Sequence, residues 1–298
     1  MQEIQTCENQ IRAVPGALDH TRRKYLQKLQ SKTGRNIIVY YSGWLQKPQQ
    51  GGTILTDDDK NGLMNAIHRL DRSIGLDLLL HTPGGDFAAT ESIVDYLRSM
   101  FGTNIRAIVP QLAMSGGTMI ACACREIVMG KQSNIGPIDP QFGGIPAHGV
   151  IAEFEEAVRA IKKDASTIPL WQTIVGKYHP TFIGECRNAI ELSTKIVTQW
   201  LVTGMFEKEP DAESRARKIV QALNNHADTK THARHIHADE AKKFGIKIRM
   251  MEEDAEMQDL VLTVHHAYMH TFAHSAAVKI IENHLGSAII YSGPVQKN

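Results

Sequence analysis

One serine stands where a strand is predicted to turn into a helix. Ser115 follows a largely apolar run at residues 105–109, which predicts a short buried strand. It lies within 112–124, a segment of small and apolar side chains that predicts a closely packed helix. Gly116 and Gly117 follow it. Such a turn lifts a hydroxyl clear of the backbone, and a helix N-terminus favours developing negative charge. Ser115 is therefore a candidate nucleophile, and the alternative is a plain helix N-cap.

A second glycine-rich turn lies upstream. Residues 76–80 predict another buried strand, which runs into 81–86, HTPGGD, before a helix predicted over 87–100. The backbone N–H groups of Gly84 and Gly85 have no side chain in front of them, which suits an oxyanion hole for a carbonyl that becomes tetrahedral. The alternative is a tight turn that needs glycine for its dihedral angles.

Three motifs together resemble a known superfamily. They are TPGGD at 82–86, MSGGTMIA at 114–121 and IGPIDPQ at 135–141. In this order they resemble the Clp protease/crotonase superfamily and, more closely, the serine dehydrogenase proteinase family, relatives of signal peptide peptidase A. The resemblance covers roughly 36–251. It implies a serine endopeptidase that cleaves peptides or unfolded or membrane-derived protein segments through a Ser115 acyl-enzyme.

The same resemblance implies roles for other residues. Matched residue by residue, the oxyanion donors are the backbone N–H groups of Gly85 and Gly116. Where Clp proteases carry their catalytic histidine this chain has Asp139, and near the Clp aspartate it has His232. The resemblance thus implies an exchange, in which His232 takes the proton from Ser115 and Asp139 orients the imidazole. A triad is defined by geometry rather than chain order, so the exchange is physically allowed.

Other readings of the base remain open at this point. Asp139 could be a turn residue before a proline, and His232 an ordinary member of a histidine-rich loop. Signal peptide peptidases use a lysine instead, but the corresponding segment, about 147–156, contains none. Lys131, Lys162 and His148 are the further candidates for the general base.

Strands and helices alternate over 76–129, which predicts an α/β fold with a mostly parallel sheet. Both glycine turns then lie at the carboxyl ends of strands, where such sheets bind ligands. We expect a Clp protease/crotonase-like core of βαβ units with a helical C-terminal extension. The predicted regions are a basic N-terminal arm (1–35), the peptidase domain (36–251) and the extension (252–298).

The composition narrows the partners. A net charge of +1 argues against a dedicated nucleic-acid or membrane-surface binder. No apolar run approaches the roughly 18 residues of a membrane span, and the first residues lack a signal-peptide pattern, so a cytoplasmic protein is expected. The four cysteines form neither a disulfide framework nor a zinc motif. His266, His270 and His274 lack further ligands and predict a packed or interface stripe, so no metal and no cofactor are expected.

Two other functions compete with the peptidase. One is a catalytically silent scaffold of the same fold that binds peptides. The other is a crotonase-type acyl-CoA enzyme that uses the two-glycine oxyanion hole without a nucleophile. The relatives assemble into rings, so the resemblance also implies a homo-oligomer.

Overall fold

The computed structural model describes residues 17–224 and 231–293. Its strands are β1 Asn36–Ser42, β2 Leu76–His81, β3 Ile105–Val109, β4 Leu112–Ala113, β5 Glu126–Met129, β6 Asn134–Ile135, β7 Gln141–Phe142, β8 Ile145–Pro146, β9 Ile236–His237, β10 Ile248–Met250, β11 Ala277–Asn283 and β12 Ala288–Ser292. Its α-helices are α1 Ala17–Thr33, α2 Asp59–Ile67, α3 Phe87–Phe101, α4 Gly116–Cys122, α5 Ala147–Lys163, α6 Ile168–Val175, α7 Phe182–Thr203, α8 Ala212–Asn224, α9 Ala238–Phe244 and α10 Ala255–His274.

A seven-stranded sheet organises the chain, in the order β10-β5-β3-β2-β1-β11-β12. The first five strands of that order run parallel, with Ile38 opposite Leu78 and Leu78 opposite Ala107. Every residue of β1 and β2 is buried, because helices cover both faces of the sheet, as parallel sheets require. The predicted α/β fold with a mostly parallel sheet is confirmed.

Alternate side chains of each strand point into two separate cores. Ile38 and Tyr40 of β1 lie in the core that includes residues of α2, α3, α4, α7 and α8. Val39 and Tyr41 point to the opposite face, where they pack among residues of α1 and α10. The first glycine turn leaves the carboxyl end of β2, at the edge where parallel sheets of this kind bind ligands. The second leaves β4, which belongs to a separate three-stranded sheet, β4-β6-β9.

The C-terminal region departs from the predicted helical extension. Within 252–298, α10 is helical as expected, but 277–283 and 288–292 form β11 and β12. β11 pairs antiparallel with β1, with Ile281 opposite Tyr40. The strand escapes a hydrophobic-pattern search because Lys279 and Glu282 interrupt its apolar residues, and both charges are buried beside partners that no local pattern reveals.

The N-terminal arm predicted over 1–35 is described from residue 17 onwards, and residues 1–16, which include Cys7, lie outside the described part. From residue 17 the chain forms α1, which packs on the sheet through Leu26 and Leu29. Arg22 of α1 is fully buried and pairs with Glu282 at 3.1 Å. The basic residues of this segment are therefore not all exposed to solvent, since Arg22 contacts the sheet.

Within residues 17–224 and 231–293, every helix is too short or too polar to cross a lipid bilayer.

Candidate active site

Ser115 adopts a backbone conformation that is rare for a residue with a side chain. Its φ is 51° and its ψ is −116°, immediately before α4. Although Ser115 occupies the N-cap position, its side chain makes no capping hydrogen bond to the helix. The hydroxyl is therefore not engaged as a cap, the alternative weighed from sequence. A non-glycine residue held in such a region costs on the order of 1–3 kcal/mol, and such strain concentrates at functional sites.

The turn after β2 lies directly against Ser115. The N–H of Thr82 donates to the carbonyl of Leu112 at 3.1 Å, and the N–H of Met114 donates back to Thr82 at 3.0 Å. Gly84 has a φ of +92°, and a Cβ added there would lie 2.6 Å from the Cβ of Ser115. Only glycine at position 84 permits this close approach to Ser115, and the two glycine turns therefore pack against each other.

Two backbone nitrogens, those of Gly85 and Gly116, lie close to each other beside the serine. Gly85 forms a parallel bridge with Leu55, in which the Leu55 N–H donates to Gly84 and the Leu55 carbonyl accepts from Asp86. In such a bridge the N–H of Gly85 itself points away from Leu55. A Cβ added to Gly116 would lie 3.6 Å from the Gly85 nitrogen. Since the first N–H groups of a helix lack intrahelical partners, Gly116 offers a second donor at this point.

His232 and Asp139 are brought together although 93 residues separate them. The Nδ1 of His232 lies 2.7 Å from the Oδ1 of Asp139. The contact follows from the antiparallel pairing of β6 with β9, with Ile135 opposite Ile236, which sets the segment after β6 beside the loop before β9. Asp139 is only 1% exposed, whereas His232 is partly exposed. A buried carboxylate fixes the imidazole, with Nδ1 as the donor and Nε2 directed elsewhere.

A cavity of about 390 Å³ gathers these groups. Ser115, Gly85, Gly116, His232 and Asp139 all line it. The rest of its wall is mainly apolar and includes Phe87, Met119, Ile138, Phe142, Ala189 and Leu192. The residues predicted from sequence for the nucleophile, the two donors and the His–Asp pair therefore share one cavity.

The other candidates for the base lie elsewhere. Lys131, Lys162 and His148 are absent from the lining of this cavity. Lys131 is exposed in the turn after β5, where its backbone N–H donates to Glu252 at 2.9 Å. Lys162 is exposed in the last turn of α5.

A second cavity, of about 630 Å³, adjoins the first and shares His232 and Gln141 with it. Trp44, Pro83 and Met114 contribute to its wall. The two cavities thus meet at His232, which gives an extended chain room on both sides of the His–Asp pair.

The cysteines at the end of α4 and just after it are poor alternatives to Ser115 as nucleophiles. Cys122 and Cys124 are buried, and burial raises the pKa of each thiol to about 12. A thiol that stays protonated at neutral pH is inert as a nucleophile.

Sequence reasoning missed several residues of the site. Leu55 holds the Gly84–Asp86 turn, yet it lies in an irregular loop with no motif. The cavity-lining residues of α7, Ala189 and Leu192, carry only the pattern of an amphipathic helix. Their spacing gave no signal of a site, because the packing of α7 against α4, α5 and α8 decides which of its residues face the cavity.

A parallel-rich α/β sheet with two interlocked glycine turns beside Ser115 is the architecture of the Clp-like fold. The chain belongs to the family of ClpP-like SDH-type serine proteinases, whose profile matches residues 16–283.

Two curated relatives, both described as uncharacterized proteins of Methanocaldococcus jannaschii, are similar to this chain. One is 28% identical over 238 residues, which cover 78% of this chain and 74% of the relative. The other is 26% identical over 194 residues, which cover 65% of this chain and 59% of that relative.

Proposed function

We propose that this protein is a serine endopeptidase in which Ser115 is the nucleophile, His232 the general base and Asp139 the residue that orients it. The observation that carries the proposal is the 2.7 Å contact between His232 Nδ1 and Asp139 Oδ1 in the cavity that also contains Ser115. The two positions are exchanged along the chain relative to Clp proteases, and a triad is defined by the roles and geometry of its residues rather than by their order in the chain.

The first half of the reaction forms an acyl-enzyme. His232 Nε2 accepts the Ser115 hydroxyl proton as Oγ bonds to the carbonyl carbon of the substrate. The resulting oxyanion accepts hydrogen bonds from the N–H groups of Gly85 and Gly116, each worth about 3 kcal/mol in the transition state. His232 then gives the proton to the leaving nitrogen, and the C–N bond breaks.

The second half releases the acyl group. A water molecule attacks the ester carbonyl while His232 Nε2 takes one of its protons. The carbon–Oγ bond breaks, the proton returns to Ser115, and a carboxylic acid leaves. Asp139 stabilises the imidazolium that forms in each half.

The apolar wall of the cavity supports a preference for substrates with an apolar side chain. The carbonyl under attack must lie against Gly85 and Gly116, so the side chain on its acyl side enters the cavity that these glycines line. Phe87, Met119 and Phe142 make that cavity apolar. We therefore propose peptides or unfolded protein segments with an apolar residue before the cleaved bond, since burial of such a side chain is favourable by about 1.5–3 kcal/mol.

Self-association is the other part of the proposal. Helix α6 has the sequence IPLWQTIV and no buried residue, and Leu170 is 60% exposed. An exposed apolar helix of this kind is typical of an interaction surface, and we propose that copies of the chain meet there. A monomeric mass in light scattering would contradict this.

Hydrolysis of a peptide library separates the proposed enzyme from a silent scaffold. We expect His232→Ala and Asp139→Asn to lower kcat by about 10²–10⁴ for peptides with an apolar acyl-side residue. His235→Ala is the matched control, because His235 lies in the same loop but lines only the second cavity. Equal rates for His232→Ala and His235→Ala would contradict the assignment of the base.

A further inference from the structure

A buried ion pair lies beside Leu55, the residue that bridges to Gly85 in the glycine turn. The Nζ of Lys279 in β11 is 2.6 Å from the Oδ1 of Asp59, the first residue of α2. The two side chains are 2% and 0% exposed. Removing a buried charge from water is costly, and an apolar pair of similar volume would often stabilise the fold as well or better. Stabilisation of the fold is therefore not a sufficient explanation for this buried pair.

The ion pair is hydrogen-bonded to the backbone on both sides of Leu55. Lys279 Nζ donates a second hydrogen bond, of 2.7 Å, to the carbonyl of Ile54. Asp59 Oδ2 accepts from the N–H of Thr56 at 2.9 Å and from the hydroxyl of Tyr40 at 2.7 Å. The side chain of Ile54 is 51% exposed, so its position depends on the backbone contact rather than on packing.

Leu55 is itself hydrogen-bonded to the glycine turn that contains Gly85, the proposed oxyanion donor. Its N–H donates to Gly84 at 2.8 Å, and its carbonyl accepts from Asp86 at 3.0 Å. A Cβ added to Gly85 would lie 2.4 Å from the nitrogen and the oxygen of Leu55. The peptide units on either side of Gly85 are thus fixed to Leu55, and a shift of Leu55 would turn the Gly85 N–H.

We propose that Lys279 and Asp59 are positioning residues, which direct the Gly85 N–H toward the oxyanion through Leu55. The inference rests on the proposed function, since it concerns the same oxyanion hole. It assigns a role to the C-terminal strand β11, which contributes no group to the cavity that contains Ser115.

The test compares Lys279→Met with Glu282→Gln in the full-length protein. Glu282 is the matched control because it lies on the same strand and pairs with Arg22 in the core on the other face. With an apolar peptide substrate, we expect Lys279→Met to lower kcat about tenfold or more with KM changed less than twofold, because small misplacements cost up to about 10² in rate. Glu282→Gln should keep the parent kcat at a temperature where both variants are folded.

A second readout isolates the oxyanion from any general loosening. A peptide aldehyde forms a hemiacetal with the serine and places an oxyanion in the hole, whereas the corresponding peptide alcohol does not. We expect Lys279→Met to weaken the aldehyde about tenfold or more and to leave binding of the alcohol unchanged, as for a donor used only in the transition state. Should this variant fail to fold, Asp59→Asn is measured in the same way, under the same criteria.

The outcomes separate this inference from the proposed function. Parent activity that survives Ser115→Ala overturns the proposed function itself. Activity that requires Ser115 but is equal in Lys279→Met and Glu282→Gln overturns the positioning role alone. Equal weakening of aldehyde and alcohol also overturns it, because the ion pair would then shape the whole cavity rather than the donor.

Discussion

Ser115 combines a rare backbone conformation with a side chain that the helix does not use. Its φ of 51° places Cβ where L-residues are crowded, and the two glycine turns hold it there through the Thr82 contacts. The sequence could predict the turn from the types and spacing of its residues. It could not predict the dihedral angles, because these result from the meeting of two turns that are distant along the chain.

The strain at Ser115 can be measured with two variants that both lack the hydroxyl. We expect Ser115→Gly to unfold with a free energy about 1 kcal/mol higher than Ser115→Ala, because glycine accepts this φ without strain whereas alanine does not. Urea unfolding at neutral pH measures the difference. A Ser115→Ala variant as stable as Ser115→Gly would show that the backbone there is relaxed.

The His232–Asp139 contact was predictable only in part. The resemblance to known peptidases indicated which positions to compare, and the residue types suggested an exchange. The bond itself depends on the two-residue strands β6 and β9, which are too short to give any periodic signal. Only the lining of the cavity shows that Lys131, a competing candidate, lies away from Ser115 while His232 and Asp139 share its cavity.

At the scale of elements, the parallel half of the sheet was accessible from sequence and the antiparallel half was not. The strands at 76–81 and 105–109 are mostly apolar, as strands buried on both faces are, and each has one charged residue, Asp77 or Arg106, at its second position. β11 has the same burial but carries Lys279 and Glu282. A charged residue can be buried in a strand when a partner compensates its charge. The partners of Lys279 and Glu282 lie far away in sequence, so no local pattern predicts the burial.

Helix α7 supplies the part of the cavity wall that should control substrate size. Ala189 lines the cavity that contains Ser115, so Ala189→Leu would fill space there. We expect kcat/KM to fall about tenfold or more for peptides with phenylalanine before the cleaved bond, since a few methylenes are worth about 1–3 kcal/mol. Peptides with alanine at that position should lose little.

The control for this change is Glu191→Leu, on the same helix. Glu191 is exposed and lines a separate hollow with Lys195 and Arg217. It adds the same side chain outside the cavity, so the preference among peptides should stay that of the parent. A preference altered equally by both variants would contradict the assignment of this cavity to the acyl side.

At the scale of the whole molecule, the face of the sheet opposite the cavity buries two neutral histidines. The rings of His81 and His265 lie 5.1 Å apart, and Tyr41 and Trp44 pack against His81. Burial lowers the pKa of His265 to about 4, with a smaller contribution from His266. Burial, and then His265, lowers the pKa of His81 well below its ordinary value. In the sequence, the histidines that stand out by their spacing are instead His266, His270 and His274, all on α10.

These histidines should make the fold sensitive to acid. The unfolded chain binds a proton at His265 near pH 6.5 and the folded chain only near pH 4, so stability is full above pH 6.5 and falls as the pH drops toward 4. The difference corresponds to about 3 kcal/mol at most for His265, and His81 acts in the same direction.

Calorimetric melting between pH 4 and 7 measures this dependence. We expect His265→Phe to lose less stability than the parent over that interval, whatever its stability at pH 7. His274→Phe is the control, because His274 lies on the same helix but is exposed. A pH dependence unchanged by His265→Phe would contradict the account of this core.

The central claim is that Ser115 is an activated nucleophile, and one measurement tests it most directly. The folded protein is treated with a fluorophosphonate, digested, and the modified residue is located by mass spectrometry. The account predicts a single adduct on Ser115 that forms much more slowly in His232→Ala and Asp139→Asn and at the parent rate in His235→Ala. A folded parent that forms no adduct on Ser115 would contradict it.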